Sequence, residues 1–283
     1  MRYRAACYRA RVVPFLDHET VLGFGYERAV GALRAALTGG LDVDSDPGRM
    51  RVAVPAGQLL LMPSSGARYV GVKVASVADA GTPRIKGVYV LMDADTLSPL
   101  ALLDGPALTT LRTPAVSALA VDEIADPGPA RLVVFGRGPQ AHGHVAAMRA
   151  VRELTEVTVL GRGDDPAPVA DADLVCCATT AREPLFAAEL VRPHATVVAV
   201  GSHEPDVREL PGALMNAATV VVESVAAATR EAGDVVLAGT TDLVPLTAVV
   251  RHDVRVPADR PRVFKSVGMA WEDLVVAAAV YER

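Results

Sequence analysis

The segment Arg131-Leu-Val-Val-Phe-Gly136-Arg-Gly138-Pro-Gln-Ala141 decides how this chain folds. An apolar run opens directly into the pattern Gly-x-Gly-x-x-Ala and then into residues of helical character. Gly136 allows a tight turn after a strand, and Gly138 lets the backbone approach a pyrophosphate. The small Ala141 lets the next helix pack closely on the sheet, and the N-terminus of that helix offers free N–H groups to phosphates. The segment therefore predicts a dinucleotide-binding turn.

A second strand follows this turn at the spacing of a βαβ unit. Residues 141–154 have helical character and residues 157–160 are strand-like, which completes a unit of about 30 residues. The second strand ends at Gly161-Arg162, where such folds distinguish their nicotinamide cofactors. Arginine pairs with a 2′-phosphate, so Arg162 favours NADP(H) over NAD(H). The acidic pair Asp164-Asp165 leaves the opposite choice open, because a carboxylate accepts hydrogen bonds from a free ribose 2′-hydroxyl.

The length and composition are those of a globular protein with one large or two moderate domains, and the dinucleotide-binding motif favours two. The chain has 283 residues, 51% of them hydrophobic, and a formal net charge of −5, so it has no basic character that would indicate nucleic-acid binding. No uninterrupted apolar run reaches the roughly 18 residues that a membrane span needs, and the basic residues 1–11 lack the apolar core of a secretory signal. We expect a cytoplasmic protein without nucleic-acid or membrane partners. The three cysteines lack metal-ligand spacing, so no metal is predicted.

Strand-like and helical segments surround the βαβ unit. A predicted helix at 17–37 comes first, and strand-like segments follow it at 51–54, 59–62, 69–77, 86–93 and 99–104. Later segments are a helix at 109–125, apolar runs at 173–178, 195–200 and 219–223, and a helix at 264–281. The predicted class is α/β, with a Rossmann-type dinucleotide-binding domain and a smaller α+β domain for dimerisation and substrate binding. The Rossmann-type domain is trimmed, because the stretch between Arg162 and Asp173 is too short for a full crossover helix and strand. The predicted domains are 114–245 for the nucleotide, and 1–113 with 246–283 for the substrate.

Several short motifs occur together in the order and spacing of one known family. They are Gln58-Leu-Leu-Leu-Met-Pro63, Gly71-Val-Lys73, Leu102-Leu-Asp-Gly105 with Thr109-Thr-Leu-Arg112, Gly136-Arg-Gly-Pro-Gln-Ala141, Gly201-Ser-His-Glu-Pro205 with Arg208-Glu-Leu, Glu231-Ala-Gly-Asp234, and Phe264-Lys-Ser-Val-Gly268 with Glu272-Asp-Leu274. Through these motifs the chain resembles the ornithine cyclodeaminase and mu-crystallin family over nearly its whole length. The resemblance implies a homodimer that acts on the C–N bond of a small amino or imino acid.

The resemblance also implies roles for individual residues. Lys73 is the catalytic amine, and Arg51 and Arg112 hold the substrate carboxylate. The predicted cofactor contacts, from the motif and the resemblance together, are Gly136, Gly138, Pro139, Gln140, Ala141, Gly161, Arg162, Thr179, Val200 and Ser266. These residue types suit the chemistry, because a guanidinium binds a carboxylate through two parallel hydrogen bonds. A lysine beside two arginines has a lowered pKa and can exchange protons near neutral pH.

Some of these assignments have competitors within the chain. Arg49 competes with Arg51, and we prefer Arg51 because Pro55 follows it at the spacing seen in the family. On residue type alone, Lys73 could be an exposed lysine at a strand edge, and Arg112 a partner in a surface ion pair.

One position departs from the family pattern. Cyclodeaminases carry an aspartate where this chain has His203, which weakens that interpretation and makes His203 a secondary catalytic candidate, since histidine titrates near neutral pH. We therefore predict an NADPH-dependent oxidoreductase acting on a C–N bond next to a carboxylate, of the imine reductase or amino acid dehydrogenase type. The alternatives are a lyase of the ornithine cyclodeaminase type and a non-catalytic binder of NADPH and a small carboxylate.

Overall fold

A computed structural model describes residues 12–81 and 83–283 of the chain; the basic N-terminal segment considered above lies outside them. The first of two sheets has six strands in the order β1-β6-β5-β4-β3-β2. All its pairings are antiparallel except that of β1 with β6. The strands are β1 Phe15–Leu16, β2 Met50–Val54, β3 Gly57–Ser65, β4 Tyr69–Ala78, β5 Ile85–Asp93 and β6 Pro99–Asp104. The predicted strands of this region are therefore present, each within a few residues of its expected ends.

Helices cover one face of this sheet. The helices α1 His18–Leu22, α3 Gly105–Ile124 and, from the far end of the chain, α9 Ala270–Tyr281 contact its strands, and α2 Tyr26–Thr38 packs on α3 and α9. The single helix predicted at 17–37 is wrong: Gly25, with φ of 87°, separates α1 from α2. Strand residues alternate between the two faces, so Tyr89 and Leu103 are buried under the helices, whereas Val72 and Val90 are half-buried on the opposite face.

The second sheet is parallel throughout and has the order β12-β11-β13-β10-β9-β7-β8. Its strands are β7 Ala130–Phe135, β8 Leu154–Leu160, β9 Leu174–Cys177, β10 Thr196–Ala199, β11 Thr219–Val222, β12 Leu243–Pro245 and β13 Arg262–Lys265. The strand order reverses at β7, which lies between β8 and β9, and ligands of open parallel sheets bind at such a point. A single 3-10 turn at Ala167–Asp171 joins β8 to β9. The predicted α/β class with a trimmed Rossmann-type sheet is confirmed.

Shorter helices complete the second sheet's connections: α4 Pro139–Val151, α5 Gly212–Ala217, α6 Val225–Glu231, α7 Gly233–Val236 and α8 Leu246–Val250. No helix within residues 12–81 and 83–283 is long and apolar enough to cross a membrane.

The last predicted helix is wrong over its first residues. Phe264 lies in strand β13, fully buried between β10 and β11, and the helix α9 begins only at Ala270. Residues 262–281 therefore contribute to both sheets. Strand β13 belongs to the parallel sheet, and α9 packs on the first sheet, which is the mixed sheet. The predicted domain boundaries at 113 and 245 stay a prediction.

Candidate active site

The glycine turn has the backbone geometry that a dinucleotide needs. Gly136 has φ of 117°, and a Cβ atom there would lie 2.5 Å from the carbonyl oxygen of Ala178, so only glycine fits. Gly138 precedes the first turn of α4, and a Cβ there would meet no atom within 4 Å, which leaves the helix N-terminus open to a ligand. Ala141 is buried against the turn. Gln140 Nε2 donates to the carbonyl oxygen of Thr109 over 3.2 Å and so ties α4 to α3.

Three further predicted cofactor residues follow neighbouring strands of the parallel sheet. Thr179 follows β9, Val200 follows β10, and Ser266 follows β13, so all three lie at its carboxyl edge. Buried carboxylates hold two of them. Glu209 Oε1 accepts hydrogen bonds from the Thr179 N–H at 2.9 Å and from its hydroxyl at 2.7 Å, and Glu223 Oε1 accepts from the Ser266 hydroxyl at 2.6 Å. These acids fix the edge before any ligand arrives.

Arg162 is exposed after β8, and the structure adds a residue that the sequence analysis did not select. Arg137, between the two glycines of the turn, donates from Nη2 to Asp164 Oδ2 over 2.8 Å. The backbone N–H of Gly161 donates to the same oxygen over 2.7 Å. A basic and an acidic side chain therefore meet where the second strand of the βαβ unit ends.

The packing of helix α3 on the mixed sheet brings Lys73 and Arg112 together. Lys73 lies on β4, and its neighbours Val72 and Val74 point to the other face, so alternation places the lysine under the helices. Arg112 lies two turns into α3, whose start is capped by Asp104, which accepts from the Ala107 N–H over 2.8 Å. Both side chains are buried. The interpretations of Lys73 as an exposed strand-edge lysine and of Arg112 as a surface ion-pair residue are therefore wrong.

Two acids at the start of α9 connect these cations. Asp273 lies 2.7 Å through Oδ2 from Lys73 Nζ and accepts from Arg112 Nε over 3.1 Å through Oδ1. Glu272 Oε2 accepts from Arg112 Nη1 over 2.6 Å. Burial lowers the pKa of Lys73 to about 8, and the charges of Arg112 and Arg49 act in the same direction. A lysine with this pKa exchanges protons readily near neutral pH.

A second pair of acids joins this cluster to the carboxyl edge of the parallel sheet. Burial, followed by the charge of the nearby Glu223, raises the pKa of Glu272 well above its ordinary value, and a side-chain contact between Glu272 and Glu223 acts in the same direction. Glu223 Oε2 in turn accepts from the backbone N–H groups of Val267 and Gly268, at 2.9 and 3.2 Å. The loop after β13 is thus linked to Arg112 through two carboxyl groups.

Arg49 and Arg51 occupy different positions relative to this cluster. Arg49 Nη2 donates to the carbonyl oxygens of Val267 and Gly268 at 2.7 and 2.9 Å, and Arg49 Nε lies 3.2 Å from Glu231 Oε2. The guanidinium of Arg112 also lies against Gly268, where a Cβ would be 2.8 Å from Nη1. The geometry therefore places Arg49 inside the site.

Arg51 lies at the rim, with its side chain 37% exposed. It donates from Nη2 to the carbonyl oxygen of His203 over 3.2 Å. The preference for Arg51 as the carboxylate ligand stays a prediction.

His203 lies half-buried beside the two arginines. Burial, followed by the charges of Arg49 and Arg51, lowers the pKa of His203 to about 4. The ring is therefore uncharged at neutral pH, and His203 can act as an acid only through its neutral N–H.

The fold and the site together define an α/β protein with a Rossmann-like parallel sheet, a second mixed sheet, and a buried cluster that contains Lys73 and Arg112. The sequence profile of the ornithine cyclodeaminase/mu-crystallin family matches residues 25–168 and 162–283, and the chain belongs to this family.

Named relatives agree with this membership. Ketimine reductase mu-crystallin of Mus musculus is 34% identical over 224 residues, which cover 72% of this chain and 72% of the relative. Delta(1)-pyrroline-2-carboxylate reductase of Bacillus cereus is 34% identical over 263 residues, which cover 79% of this chain and 81% of the relative. A solved structure of Thermococcus litoralis Delta(1)-pyrroline-2-carboxylate reductase, in complex with NADH and L-proline, has the same fold. It has a TM-score of 0.86 and 24% identity, and the match covers 95% of this chain and 97% of that one. The predicted family and the predicted kinship with imine reductases are confirmed.

Proposed function

We propose that the protein is an NADPH-dependent reductase of a small imino acid. The observation that carries this proposal is the buried Lys73–Asp273–Arg112 cluster, which is joined through Glu272 and Glu223 to the loop that follows β13. Lys73 as the proton donor and Arg112 as the carboxylate ligand would then act next to the carboxyl edge of the parallel sheet, where a dinucleotide would bind. The imine reductase names of the relatives support the same reaction class.

The residues suggest how the reaction runs. Nε and Nη1 of Arg112 are held by Asp273 and Glu272, which leaves Nη2 for the substrate carboxylate. The reduced nicotinamide would supply the hydride to the carbon of the C=N bond. Lys73 gives its proton to the nitrogen, so the C=N bond becomes CH–NH while the lysine becomes neutral and later takes a proton from water. Ser266, whose hydroxyl donates to Glu223, would lie beside the nicotinamide when the cofactor is bound.

An assay of net cofactor consumption tests the reaction. NADPH absorbance should fall in proportion to substrate with cyclic imino acids, or with 2-oxo acids mixed with amines. Release of ammonia from ornithine without net loss of NADPH would instead indicate a cyclodeaminase. Binding of NADPH and a small carboxylate without turnover on the whole panel would indicate a non-catalytic binder.

Cofactor preference supplies a first prediction, based on the exposed Arg162 after β8. Arg162→Ala should weaken NADPH binding about 10- to 100-fold, because a charge-assisted phosphate contact contributes roughly 1.5 to 3 kcal/mol. NADH affinity should stay close to wild type, since NADH lacks the 2′-phosphate. Fluorescence titration with both nucleotides measures this, with Arg149→Ala on α4 as a control that removes a charge elsewhere. Equal wild-type affinities for the two nucleotides would reject NADPH as the cofactor.

The outer face of the mixed sheet supports a homodimer. Its paired residues Leu61, Val74 and Val88 are apolar and only half-buried, and the next row, Val72, Val90 and Leu102, is similar. In Gly71-Val-Lys-Val74 the lysine points under the helices and the valines point to the outer face. A sheet whose outer face meets water has polar residues there and apolar residues inside. A second copy that covers this face gives an isologous interface.

A charge on that face tests the dimer. Val74→Lys should convert a dimer into a monomer at micromolar concentration, measured by light scattering, because a buried unpaired charge costs several kcal/mol. Leu237→Lys, at an exposed apolar position after α7, should leave the mass unchanged. A wild-type protein that is a stable monomer would contradict the proposal.

A further inference from the structure

Two neighbouring strand ends of the parallel sheet bring Arg137 onto Gly161. Strands β7 and β8 pair directly, with Phe135 opposite Leu160, so the residues that follow each strand lie side by side. A Cβ atom at position 161 would be 2.8 Å from the Cζ of Arg137. The guanidinium therefore packs against the backbone of Gly161, and a side chain at position 161 would force Arg137 to move.

Arg137 and the Gly161 N–H form a pair of donors that converge on one oxygen. Asp164 Oδ2 accepts from both, at 2.8 and 2.7 Å. A guanidinium and a backbone N–H aimed at one point form a binding site for an anionic oxygen. In this chain the anion is supplied from three residues downstream, and it lies where the adenosine ribose of a dinucleotide binds.

The site is accessible to a ligand. The side chain of Arg137 is 66% exposed and that of Asp164 is 38% exposed, and Arg162 next to them is exposed as well. An exposed ion pair of this kind contributes little to stability. Asp164 can therefore leave the donors at small cost when a stronger anion arrives.

We infer that Arg137, together with Arg162, binds the 2′-phosphate of NADPH, and that Asp164 is an internal anion which this phosphate displaces. The inference rests on the proposed preference for NADPH and adds the residues that set it. A phosphate dianion attracts the two arginines more strongly than a carboxylate does. The phosphate also repels the Asp164 carboxylate, which would otherwise keep its hydrogen bonds to Arg137 and the Gly161 N–H. NADH brings no such group and leaves the Arg137–Asp164 pair intact.

Titration of three variants with NADPH and NADH tests the inference. Arg137→Ala should weaken NADPH binding about 10-fold or more and change NADH affinity less than about twofold. Asp164→Ala should strengthen NADPH binding about threefold or more, because the competing anion is gone, and leave NADH affinity unchanged. Arg149→Ala again serves as the control. Adenosine 2′,5′-bisphosphate and 5′-AMP as competitors should reproduce the same pattern, since they differ only in the 2′-phosphate.

The possible outcomes separate this inference from the proposal beneath it. Equal wild-type affinities for the two nucleotides defeat the NADPH preference itself. A wild type that prefers NADPH, combined with an Arg137→Ala variant that affects both nucleotides equally or neither, overturns the role of Arg137. An Asp164→Ala variant that loses NADH affinity and keeps NADPH affinity shows that Asp164 binds a free ribose hydroxyl, and it overturns the displacement.

Discussion

Lys73→Met should lower the turnover of imine reduction about 100-fold or more while the affinity for NADPH stays close to wild type. The physical reason is that Lys73 is the buried group with a pKa of about 8 in the proposed pocket, so it can give a proton to the substrate nitrogen. Methionine keeps the length and volume of the side chain, and Asp273 keeps its bond to Arg112. Thermal unfolding should still show a cooperative transition, with a lower midpoint because the buried Lys73–Asp273 pair is broken from one side. Full activity of Lys73→Met on the best substrate would contradict the mechanism.

The pH profile of the wild type gives an independent check on Lys73. Burial and neighbouring arginines lower the pKa of this lysine from 10.5 to about 8, so it holds its proton below pH 8 and loses it above. Because the protonated form is the donor, kcat/KM for reduction should be level below pH 8 and fall towards tenfold per pH unit above it. The variant Lys73→Arg keeps the charge but does not titrate in this range. Its residual activity should lack the fall, and a wild-type profile that stays level to pH 9.5 would exclude Lys73 as the acid.

Arg112→Ala should be the second severe change, and it should act on both binding and turnover. Loss of the carboxylate ligand should raise KM, and a substrate misplaced by about 1 Å can lose roughly 100-fold in rate. The change also removes the cation that Glu272 and Asp273 contact inside the protein. Breaking a buried ion pair from one side typically costs about 3 to 5 kcal/mol, so the midpoint of thermal unfolding should fall.

A milder variant separates these two effects. Arg112→Lys keeps a positive charge near Asp273 but cannot reach both acids and the substrate with one planar group. It should therefore recover much of the stability and little of the activity. Arg51→Ala and Arg49→Ala test which of these arginines binds the carboxylate: the sequence prediction expects the larger effect on KM from Arg51→Ala, and burial expects it from Arg49→Ala. Activity of Arg112→Ala within about threefold of wild type would show that the carboxylate binds elsewhere.

The features that the sequence predicted correctly are those set by the conformation and size of single residues. The turn at Gly136 follows from a backbone conformation that only glycine tolerates, and Ala141 from the close packing of α4. Lys73 and Arg112 came from resemblance, and the structure then placed them in one buried cluster. Their partner Asp273 could not be predicted from spacing, because about 160 to 200 residues separate it from them. The only local signal was an acidic pair, Glu272-Asp273, at the start of an otherwise apolar helix.

Other features were beyond the reach of periodicity. Strand β13 is buried on both faces and helix α9 is buried along most of its length, so no alternation of apolar and polar residues marks the change from one to the other. Which of Arg49 and Arg51 lies inside the site depends on where the loop after β13 meets the mixed sheet, and the sequence does not show that position. In the sequence, Arg137 occupies the variable position of the glycine motif, which gives no sign of a ligand contact. Its position becomes informative only because Gly161, at the end of the neighbouring strand, lies beside it.

Strand β13 has a consequence for how the protein is made. It lies between β10 and β11, yet it is encoded after every other strand of its sheet. The parallel sheet can therefore be completed only after residues 262–265 have left the ribosome, because β13 joins the strands β8-β7-β9-β10 to the strands β11-β12. A gene fragment covering 114–245 omits both β12's covering helix α8 and the joining strand, so it should yield an open, aggregation-prone sheet. We expect a circularly permuted chain that keeps β13 next to β10 and β11 to fold where the 114–245 fragment does not.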